Sequence, residues 1–297
     1  MVRGMTLPVA AAWVLVLASS AEGQQAAPHA LASAESGAPF RLRYESFGDP
    51  ALAAFMSAAW ATTELVAKNV LAPSTCTLCD RDPSGRDRLN AFDAWGRGAR
   101  WPTLEAQHTA DVLSNVVGFA AIPAAVAGFD VALAHAGGRA PDAVEDLVLV
   151  LQTASAALLL NQAVKFAAAR ERPFVHALTP EERLTVENPL DANLSFFSGH
   201  ATFAFSSVVA AGTVAELRSY PGRALIWVVG LPLAAATGYL RIAADKHYLS
   251  DVLVGAAVGA AFGAGIPLLL HARQETASAA EIRVLPSLHG VSVSARF

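Results

Sequence analysis

The second half of the chain carries three short clusters whose residue types could bind an anion and transform it. The first is Lys165, followed seven residues later by Arg172 and then by Pro173. Residues seven apart on a helix lie on nearly the same face, so the two cations would project together. Pro173 disfavours helix at the residue before it, which puts Arg172 where the chain leaves the helix. Two cations at a helix exit indicate an anion site, although basic residues at the end of a membrane helix also extend simply to reach water.

The second cluster is Ser198-Gly199-His200, which precedes a helix predicted from residue 201. A Ser-Gly turn at a helix N-terminus directs free backbone N–H groups and the positive end of the helix dipole at a bound phosphate. Gly199 lets the backbone approach that phosphate closely. Serine is also an ordinary capping residue, so the tripeptide alone does not decide between a phosphate site and a plain helix start.

The third cluster consists of Arg241, His247 and Asp251. His247 and Asp251 are four residues apart, close enough for the carboxylate to hold one imidazole nitrogen and leave the other free as a nucleophile. Arg241 adds a bidentate donor for phosphate oxygens. The alternative is structural, because Asp251 could simply occupy the first turn of a helix that starts near residue 252 and is capped by Ser250.

Taken in order, the three clusters resemble the tripartite signature of the type 2 phosphatidic acid phosphatase and vanadium haloperoxidase superfamily, on its phosphatase branch. The resemblance covers residues 112–270. Two positions depart from it, since Phe197 stands where the family often has proline and Leu240 where it often has serine. Neither position supplies a catalytic group, so the departures bear on substrate detail more than on chemistry.

The resemblance implies a role for each matching residue and a reaction through a phosphohistidine. His247 would attack phosphorus, Asp251 would orient it, and His200 would protonate the leaving alkoxide. The residues that would bind phosphate are Lys165, Arg172, Ser198, Gly199 and Arg241. Fixed cations and backbone donors can supply the charge neutralisation and the positioning that phosphoryl transfer needs. We therefore expect no metal and no other cofactor.

Five long apolar segments must position these clusters. Each approaches the ~20 residues that a membrane-spanning helix needs. They cover residues 112–134, 147–164, 201–214, 224–240 and 252–270. The first contains Asn115 and Asp130, and the third is short and carries Ser and Thr, so both could also be buried helices of a soluble bundle. We predict an all-α, multi-helix bundle, embedded in a membrane, with the active site at one end.

The sequence also predicts an orientation. Residues 1–23 have a basic start, an apolar stretch and a small-x-small pattern, which is typical of a signal peptide or an uncleaved N-terminal anchor. Four basic residues share the side away from the clusters and mark it as cytoplasmic. They are Arg139, Arg218, Arg223 and Arg273. We expect the protein in the bacterial inner membrane with its active site facing the periplasm, and a soluble periplasmic location is the alternative.

The rest of the chain divides around the catalytic part. Residues 24–111 are predicted to form a flexible and helical extracytoplasmic segment, and residues 112–271 the catalytic domain. Alternating residues near the end predict a tail or a short hairpin over residues 272–297. His176, in the long connection before Ser198, is expected on the surface.

Two local features are predicted within the extracytoplasmic segment. Residues 51–71 show the spacing of an amphipathic helix, in which Glu64 and Lys68 form an i,i+4 ion pair. Cys76 and Cys79 favour a local disulfide, because such bonds persist in exported proteins.

Composition narrows the class of partner. Hydrophobic residues make up 54% of the 297 residues, charged residues 15%, and the mean hydropathy is +0.41. Soluble domains carry about 25% charged residues, so the chain leans toward the membrane. A net charge of -4 gives no basic excess, which argues against a nucleic-acid partner.

The expected substrate is a lipid phosphate, such as phosphatidic acid or a polyprenyl diphosphate. Three alternatives stay open at this point: a soluble periplasmic acid phosphatase, a vanadium-dependent haloperoxidase and an inactive membrane scaffold.

Overall fold

The structure is a computed structural model and describes residues 40–82, 84, 86–183, 186, 189–274, 281–287 and 290–296. The predicted signal or anchor over residues 1–23 lies outside the described residues, as do residues 24–39 of the segment predicted to be flexible.

Helices make up most of the described chain. In chain order they are α1 (Gly48–Thr62), α2 (Lys68–Leu71), α3 (Ala91–Gly96), α4 (Leu104–Val116), α5 (Ile122–Ala136), α6 (Asp142–Ala168), α7 (Pro173–His176), α8 (Pro180–Arg183), α9 (Gly199–Leu217), α10 (Ala224–Ala243) and α11 (Leu249–Ile266). Short π-helical turns connect or extend some of these helices, so that they form longer ones. Thr63–Ala67 joins α1 to α2 into helix 48–71, Val117–Ala121 joins α4 to α5, and Pro267–His271 extends α11.

Among the described residues, four short strands flank the bundle in sequence. They are β1 (Phe40–Leu42), β2 (Ala272–Gln274), β3 (Glu281–Ser287) and β4 (Gly290–Arg296). Strand β1 pairs antiparallel with β2, and β3 pairs antiparallel with β4. The fold is therefore an all-α bundle with two small strand pairs, and the predicted fold class is confirmed.

Helix α9 is the centre of the bundle, where α6, α10 and α11 pack around it. Its side chains are buried along almost the whole helix. Helix α11 approaches it through Gly255, Gly259 and Gly263. A β-carbon at Gly259 would lie 2.5 Å from the carbonyl oxygen of Thr202, so the two backbones meet too closely for any larger residue.

Among the residues that the structure describes, four helices are long and apolar enough to cross a membrane. They are Leu104–Ala136, Asp142–Ala168, Ala224–Ala243 and Leu249–His271. All five predicted apolar segments are helical, and each helix extends beyond its apolar stretch. The predicted segment 201–214 forms the buried helix α9, which agrees with the alternative that its Ser and Thr content suggested.

The two ends of the bundle differ in content. Helices α6 and α10 finish, and helices α9 and α11 begin, at one end, called the site end below. The segment before α4 folds onto this end. Its Cys76 and Cys79 form the predicted disulfide, Leu78 bridges in parallel to Arg170, and Arg97 forms a 3.0 Å ion pair with Asp245.

The opposite end holds strand pair β1–β2 and a buried ion cluster. Arg218 donates to Asp142 at 2.9 Å, to Glu145 at 2.7 Å and to Asp146 at 2.8 Å. The Tyr220 hydroxyl donates to the same Asp146 at 2.6 Å. Three acids around one arginine tie the turn after α9 to the start of α6.

Candidate active site

The three sequence clusters come together at the site end, but the first is built differently from the prediction. Lys165 lies in the last turn of α6, which ends at Ala168 because Ala169 takes a left-handed conformation with φ of 43°. Arg172 follows in extended conformation, as its position before Pro173 predicts. The expected shared helical face of Lys165 and Arg172 is therefore wrong, and a turn rather than a helix brings Arg172 back to the site.

The Ser-Gly-His cluster forms a helix start, as predicted. Ser198 is the N-cap of α9, and its Oγ accepts a hydrogen bond from the Ala201 amide at 3.4 Å. A β-carbon at Gly199 would lie 3.3 Å from Nζ of Lys165 and 3.0 Å from Oδ1 of Asn161. The absence of a side chain therefore lets the first turn of α9 sit directly against the Lys165 ammonium group.

His200, in that first turn, has a defined partner. Its Nε2 lies 2.8 Å from Oδ1 of Asn115, which comes from α4. An amide oxygen only accepts hydrogen bonds, so with this amide orientation the proton is on Nε2. Phe119 lies against the ring, with centroids 4.6 Å apart. The tautomer and the ring plane of His200 are thus both fixed by residues of the same long helix.

His247 is buried within a field of positive charge. Burial lowers the pKa of its imidazole well below 6.5, and the nearby charges of Arg172, Arg241 and Lys165 lower that pKa further. The same three cations act on His200. All three predicted phosphate-binding cations thus lie around both predicted catalytic histidines, and His247 is held neutral.

Asp251 faces His247, but the predicted hydrogen bond between them is absent. Nδ1 of His247 lies 3.6 Å from Oδ2 of Asp251. Oδ2 instead accepts from the Ser195 hydroxyl at 2.5 Å and from the Tyr248 amide at 3.0 Å. These two donors occupy Oδ2, and the neutral imidazole lies 3.6 Å from it, beyond hydrogen-bond distance.

The structural interpretation of Asp251 holds in part, and its catalytic role stays a prediction. By accepting from the Tyr248 amide it caps α11, which begins at Leu249 and not near residue 252. Tyr248, not Ser250, is therefore the N-cap. Ser250 lies inside the first turn, where its amide and hydroxyl both donate to Asp93 at 2.8 Å.

Arg170 is a site residue that the sequence interpretation missed. Its Nη1 donates to Oδ1 of Asp251 at 2.7 Å, and its Nη2 donates to Asp93 at 2.8 Å and to Asp80 at 3.0 Å. The guanidinium carbon lies 4.2 Å from the ring centroid of Tyr248. These carboxylates raise the pKa of Arg170 despite its burial. Arg170 thus links Asp251 to Asp80 and Asp93 of the segment before α4.

Two further carboxylates, Asp111 and Asp191, also escaped prediction, and they balance the phosphate-binding cations. Arg241 donates to Asp111 and, at 2.9 Å, to Ser114, while its Nε has no partner among the described residues. Arg172 lies 3.6 Å from Asp191. Although burial alone would raise the pKa of Asp191, Arg172 and Lys68 lower it, so this carboxylate is ionised.

The missed residues of α4 did leave a signal. Asp111, Ser114 and Asn115 are spaced i, i+3 and i+4 in the second half of α4, where the helix becomes mainly apolar, so they share one face. Polar groups on one face of a membrane helix indicate a functional site. No local sequence pattern indicates the contact between Arg170 and Asp93, because the two residues are 77 positions apart in sequence.

His176 is not the surface residue that the sequence predicts. It is buried, its Nδ1 lies 3.1 Å from Oε2 of Glu171, and its Nε2 lies 3.2 Å from Asp87. Arg81 donates to its backbone carbonyl. His176 therefore fastens the connection after α6 to the segment that precedes α4.

Comparisons with known proteins give a family match and a similar solved structure. Residues 146–275 match the PAP2 superfamily. A similar solved structure is that of the first transmembrane PAP2 type phosphatidylglycerolphosphate phosphatase from Bacillus subtilis, 17% identical, with a TM-score of 0.42 over 74% of this chain and 94% of that chain. No curated protein matches the chain. The matched range contains all three clusters.

Proposed function

We propose that this chain, whose residues 146–275 match the PAP2 superfamily, is a membrane phosphatase that hydrolyses a lipid phosphate or diphosphate through a phosphohistidine, without a metal. One observation carries the proposal. A buried, neutral histidine, His247, lies among the charges of Lys165, Arg172 and Arg241, beside the capped start of α9. Neutral imidazole is the form that can attack phosphorus, and the surrounding cations are what a transferring phosphoryl group needs.

Substrate binding would use the three cations and the helix start. Lys165, Arg172 and Arg241 would contact the phosphate oxygens, and the Ser198 hydroxyl and the Gly199 amide would complete the cradle. The negative charge of the phosphate would offset the cations and make a second proton on His200 favourable. The His200 imidazolium would then be the general acid.

The reaction would proceed in two steps. In the first, Nε2 of His247 forms a bond to phosphorus while the bond to the leaving oxygen breaks, and His200 gives that oxygen its proton. In the second, His200 takes a proton from water, the water oxygen bonds to phosphorus, and the bond between phosphorus and nitrogen breaks to release phosphate. Asp251 would stabilise the positive charge that His247 develops in the first step.

The exposed apolar side chains of the bundle and the disulfide at its site end support a lipid substrate and an exported site. The clusters lie at the end of a bundle whose candidate spanning helices expose apolar side chains, so a phosphate at the bilayer surface could reach them. The Cys76–Cys79 disulfide at the site end supports a location in an oxidising compartment. We assign the protein to the bacterial inner membrane with its site facing the periplasm.

The test is trapping of the intermediate. Purified protein is mixed with labelled lipid phosphate and quenched in alkali, which preserves phosphohistidine. We expect label on the native protein and on His108→Ala, a variant of an exposed histidine, and none on folded His247→Ala. Activity should survive a chelator.

The outcomes separate the alternatives. Undiminished labelling of His247→Ala would overturn the nucleophile assignment. Halide oxidation that depends on vanadate, without phosphate release, would indicate a haloperoxidase. Release only from soluble monoesters would indicate an acid phosphatase, and no turnover of any phosphate would indicate a scaffold.

A further inference from the structure

The loop that the disulfide closes, residues 76–79, lies directly against the turn that follows α6. The Thr77 amide donates to the Ala169 carbonyl at 3.0 Å, and the Glu171 amide donates to the Leu78 carbonyl at 3.1 Å. Together these two hydrogen bonds make a parallel bridge between the loop and the turn. The backbone of this disulfide loop therefore pairs with the turn as a short strand would.

The turn, residues 169–172, is paired on its other side as well. The Ser195 amide donates to the Arg170 carbonyl at 3.0 Å, and the Arg172 amide donates to the Ala192 carbonyl at 2.8 Å. The turn thus lies between the disulfide loop and the segment that leads into α9. Its position depends on hydrogen bonds from both neighbours.

This arrangement directs two donors at Asp251. Arg170 donates to its Oδ1 at 2.7 Å, and Ser195 donates to its Oδ2 at 2.5 Å. Asp80, which directly follows the disulfide loop, accepts from Nε of Arg170 at 3.1 Å and from Nη2 at 3.0 Å. The loop therefore fixes Arg170 in two ways, through its own backbone and through the side chain that comes next.

The disulfide loop itself has little buried surface. Leu78 is 48% exposed, Thr77 is exposed, and both cysteines are only half-buried. A segment with few buried apolar contacts opens easily unless another constraint holds it. The covalent bond between Cys76 and Cys79 supplies that constraint. The chain has two cysteines, so thiol chemistry on this protein reports on this pair alone.

We propose that the Cys76–Cys79 disulfide is a positioning element of the active site, which fixes the turn after α6 and, through Arg170, the carboxylate of Asp251. Its effect on turnover rests on the proposed function. A dithiol reductant opens the loop, since two electrons and two protons pass to the cysteine pair, which becomes two thiols, while the dithiol becomes a disulfide. Asp251 then loses the fixed donor that aims it at His247, and turnover falls.

The first experiment measures turnover in the two redox states. Dithiothreitol should lower kcat of the purified protein at least about tenfold, since misplacing a catalytic group by about 1 Å can cost roughly 10²-fold. Removal of the reductant and reoxidation should restore kcat. The double variant Cys76→Ser, Cys79→Ser should have the low kcat from the start and should not respond to dithiothreitol. An unchanged kcat after complete reduction, counted by thiol titration, would overturn the proposal.

The second experiment tests the route through Arg170. In Arg170→Lys the ammonium group lacks the fork that binds Asp251 and Asp80 together, so reduction should add a loss of less than about twofold. The matched control is Arg88→Gln, at an exposed arginine of the same segment, which should show the full loss on reduction. Equal losses in the two variants would mean that the disulfide supports the fold as a whole and does not position Asp251.

The third experiment does not depend on activity. Amide hydrogen exchange should become at least about tenfold faster at Glu171 and Ser195 on reduction, while the amides within α9 keep their rates. Unchanged exchange at these two amides, or faster exchange throughout the bundle, would overturn the positioning role. Locally faster exchange in a protein that hydrolyses no phosphate would support the positioning of the turn and overturn the proposed function.

Discussion

Arg170 donates a 2.7 Å hydrogen bond to Oδ1 of Asp251, so the carboxylate that faces His247 is held from behind by a buried cation. The same guanidinium also binds Asp93 and Asp80. The side-chain partners of Arg170 are carboxylates, the Ser250 hydroxyl and the Tyr248 ring, so we interpret it as a positioning residue for Asp251. This relationship makes the orientation of the proposed catalytic pair depend on a segment of chain well before the superfamily match.

Replacing Arg170 by Gln should damage both stability and turnover. Removing one partner leaves buried carboxylates without their cation, which costs about 3–5 kcal/mol. Thermal unfolding in detergent and phosphate release measure the two effects. Arg170→Lys should recover part of the stability, and Arg88→Gln, at an exposed arginine, should change it by less than about 0.5 kcal/mol. A stable, fully active Arg170→Gln protein would contradict the positioning role.

The pH dependence should follow His247. Its pKa in the folded protein is below 6.5, so the acid limb of kcat/KM should lie below about pH 6.5. Since the unfolded state takes up the proton first as pH falls, stability is full above about pH 6.5 and declines toward the folded pKa. His247→Asn should weaken that decline. An acid limb above pH 7 would show that the imidazole is not held neutral.

His200 and Asn115 should matter most for poor leaving groups. A general acid contributes about 10²–10⁴-fold, so His200→Ala should lose that factor on an alkyl phosphate and far less on a nitrophenyl phosphate. Asn115→Ala removes the 2.8 Å partner of His200 and should give a smaller loss with the same dependence. Equal losses on both substrates would mean that His200 does not protonate the leaving group. The matched control is His108→Ala.

Asp191 should compete with bound anions. It is ionised and lies 2.5 Å from Lys68 and 3.6 Å from Arg172. Asp191→Asn keeps the shape and removes the negative charge, so vanadate or phosphate should inhibit roughly tenfold more tightly, about 1.4 kcal/mol. Inhibition constants at fixed salt measure this. Weaker inhibition would show that the carboxylate organises the cradle instead of opposing the anion.

The contact between α9 and α11 gives a paired test within one helix. A β-carbon at Gly259 would meet the Thr202 carbonyl at 2.5 Å, whereas Gly265 has nothing within 4 Å among the described residues. Gly259→Ala should lower stability by about 1–3 kcal/mol. Gly265→Ala should leave it unchanged or raise it by up to about 1 kcal/mol. Similar unfolding temperatures for the two variants would argue against close backbone packing.

The sequence predicts the helices and the three clusters well, because each depends on local spacing. Apolar runs mark the helices, and Pro173 and Ser198 mark where the chain turns at the site. The course of the chain between Lys165 and Arg172 was mispredicted, because nothing in the local pattern reveals that Ala169 adopts a left-handed conformation. Local spacing thus finds residue types more reliably than it finds the path between them.

The hydrogen bonds that position Asp251 and Arg241 could not be predicted from the spacing of nearby residues. Asp251 has the right separation from His247 for a hydrogen bond, yet Ser195 and Arg170 occupy its oxygens from 56 and 81 residues away. Competition for one carboxylate is decided by tertiary packing, which a motif does not contain. The ion pair between Arg241 and Asp111 likewise depends on tertiary packing, because the two residues are 130 positions apart in sequence.

The 98-residue separation between hydrogen-bonded residues of helix 48–71 and α6 sets an order of events during synthesis. At a synthesis rate of about 5–20 residues per second, roughly 5–20 s pass between synthesis of a residue in helix 48–71 and synthesis of its partner in α6. During that interval neither Gln162 nor Asp191 exists to receive its charged side chains. The Glu64–Lys68 pair, one turn apart on the same helix, lets the nascent segment neutralise its own charges until the ribosome has supplied their later partners.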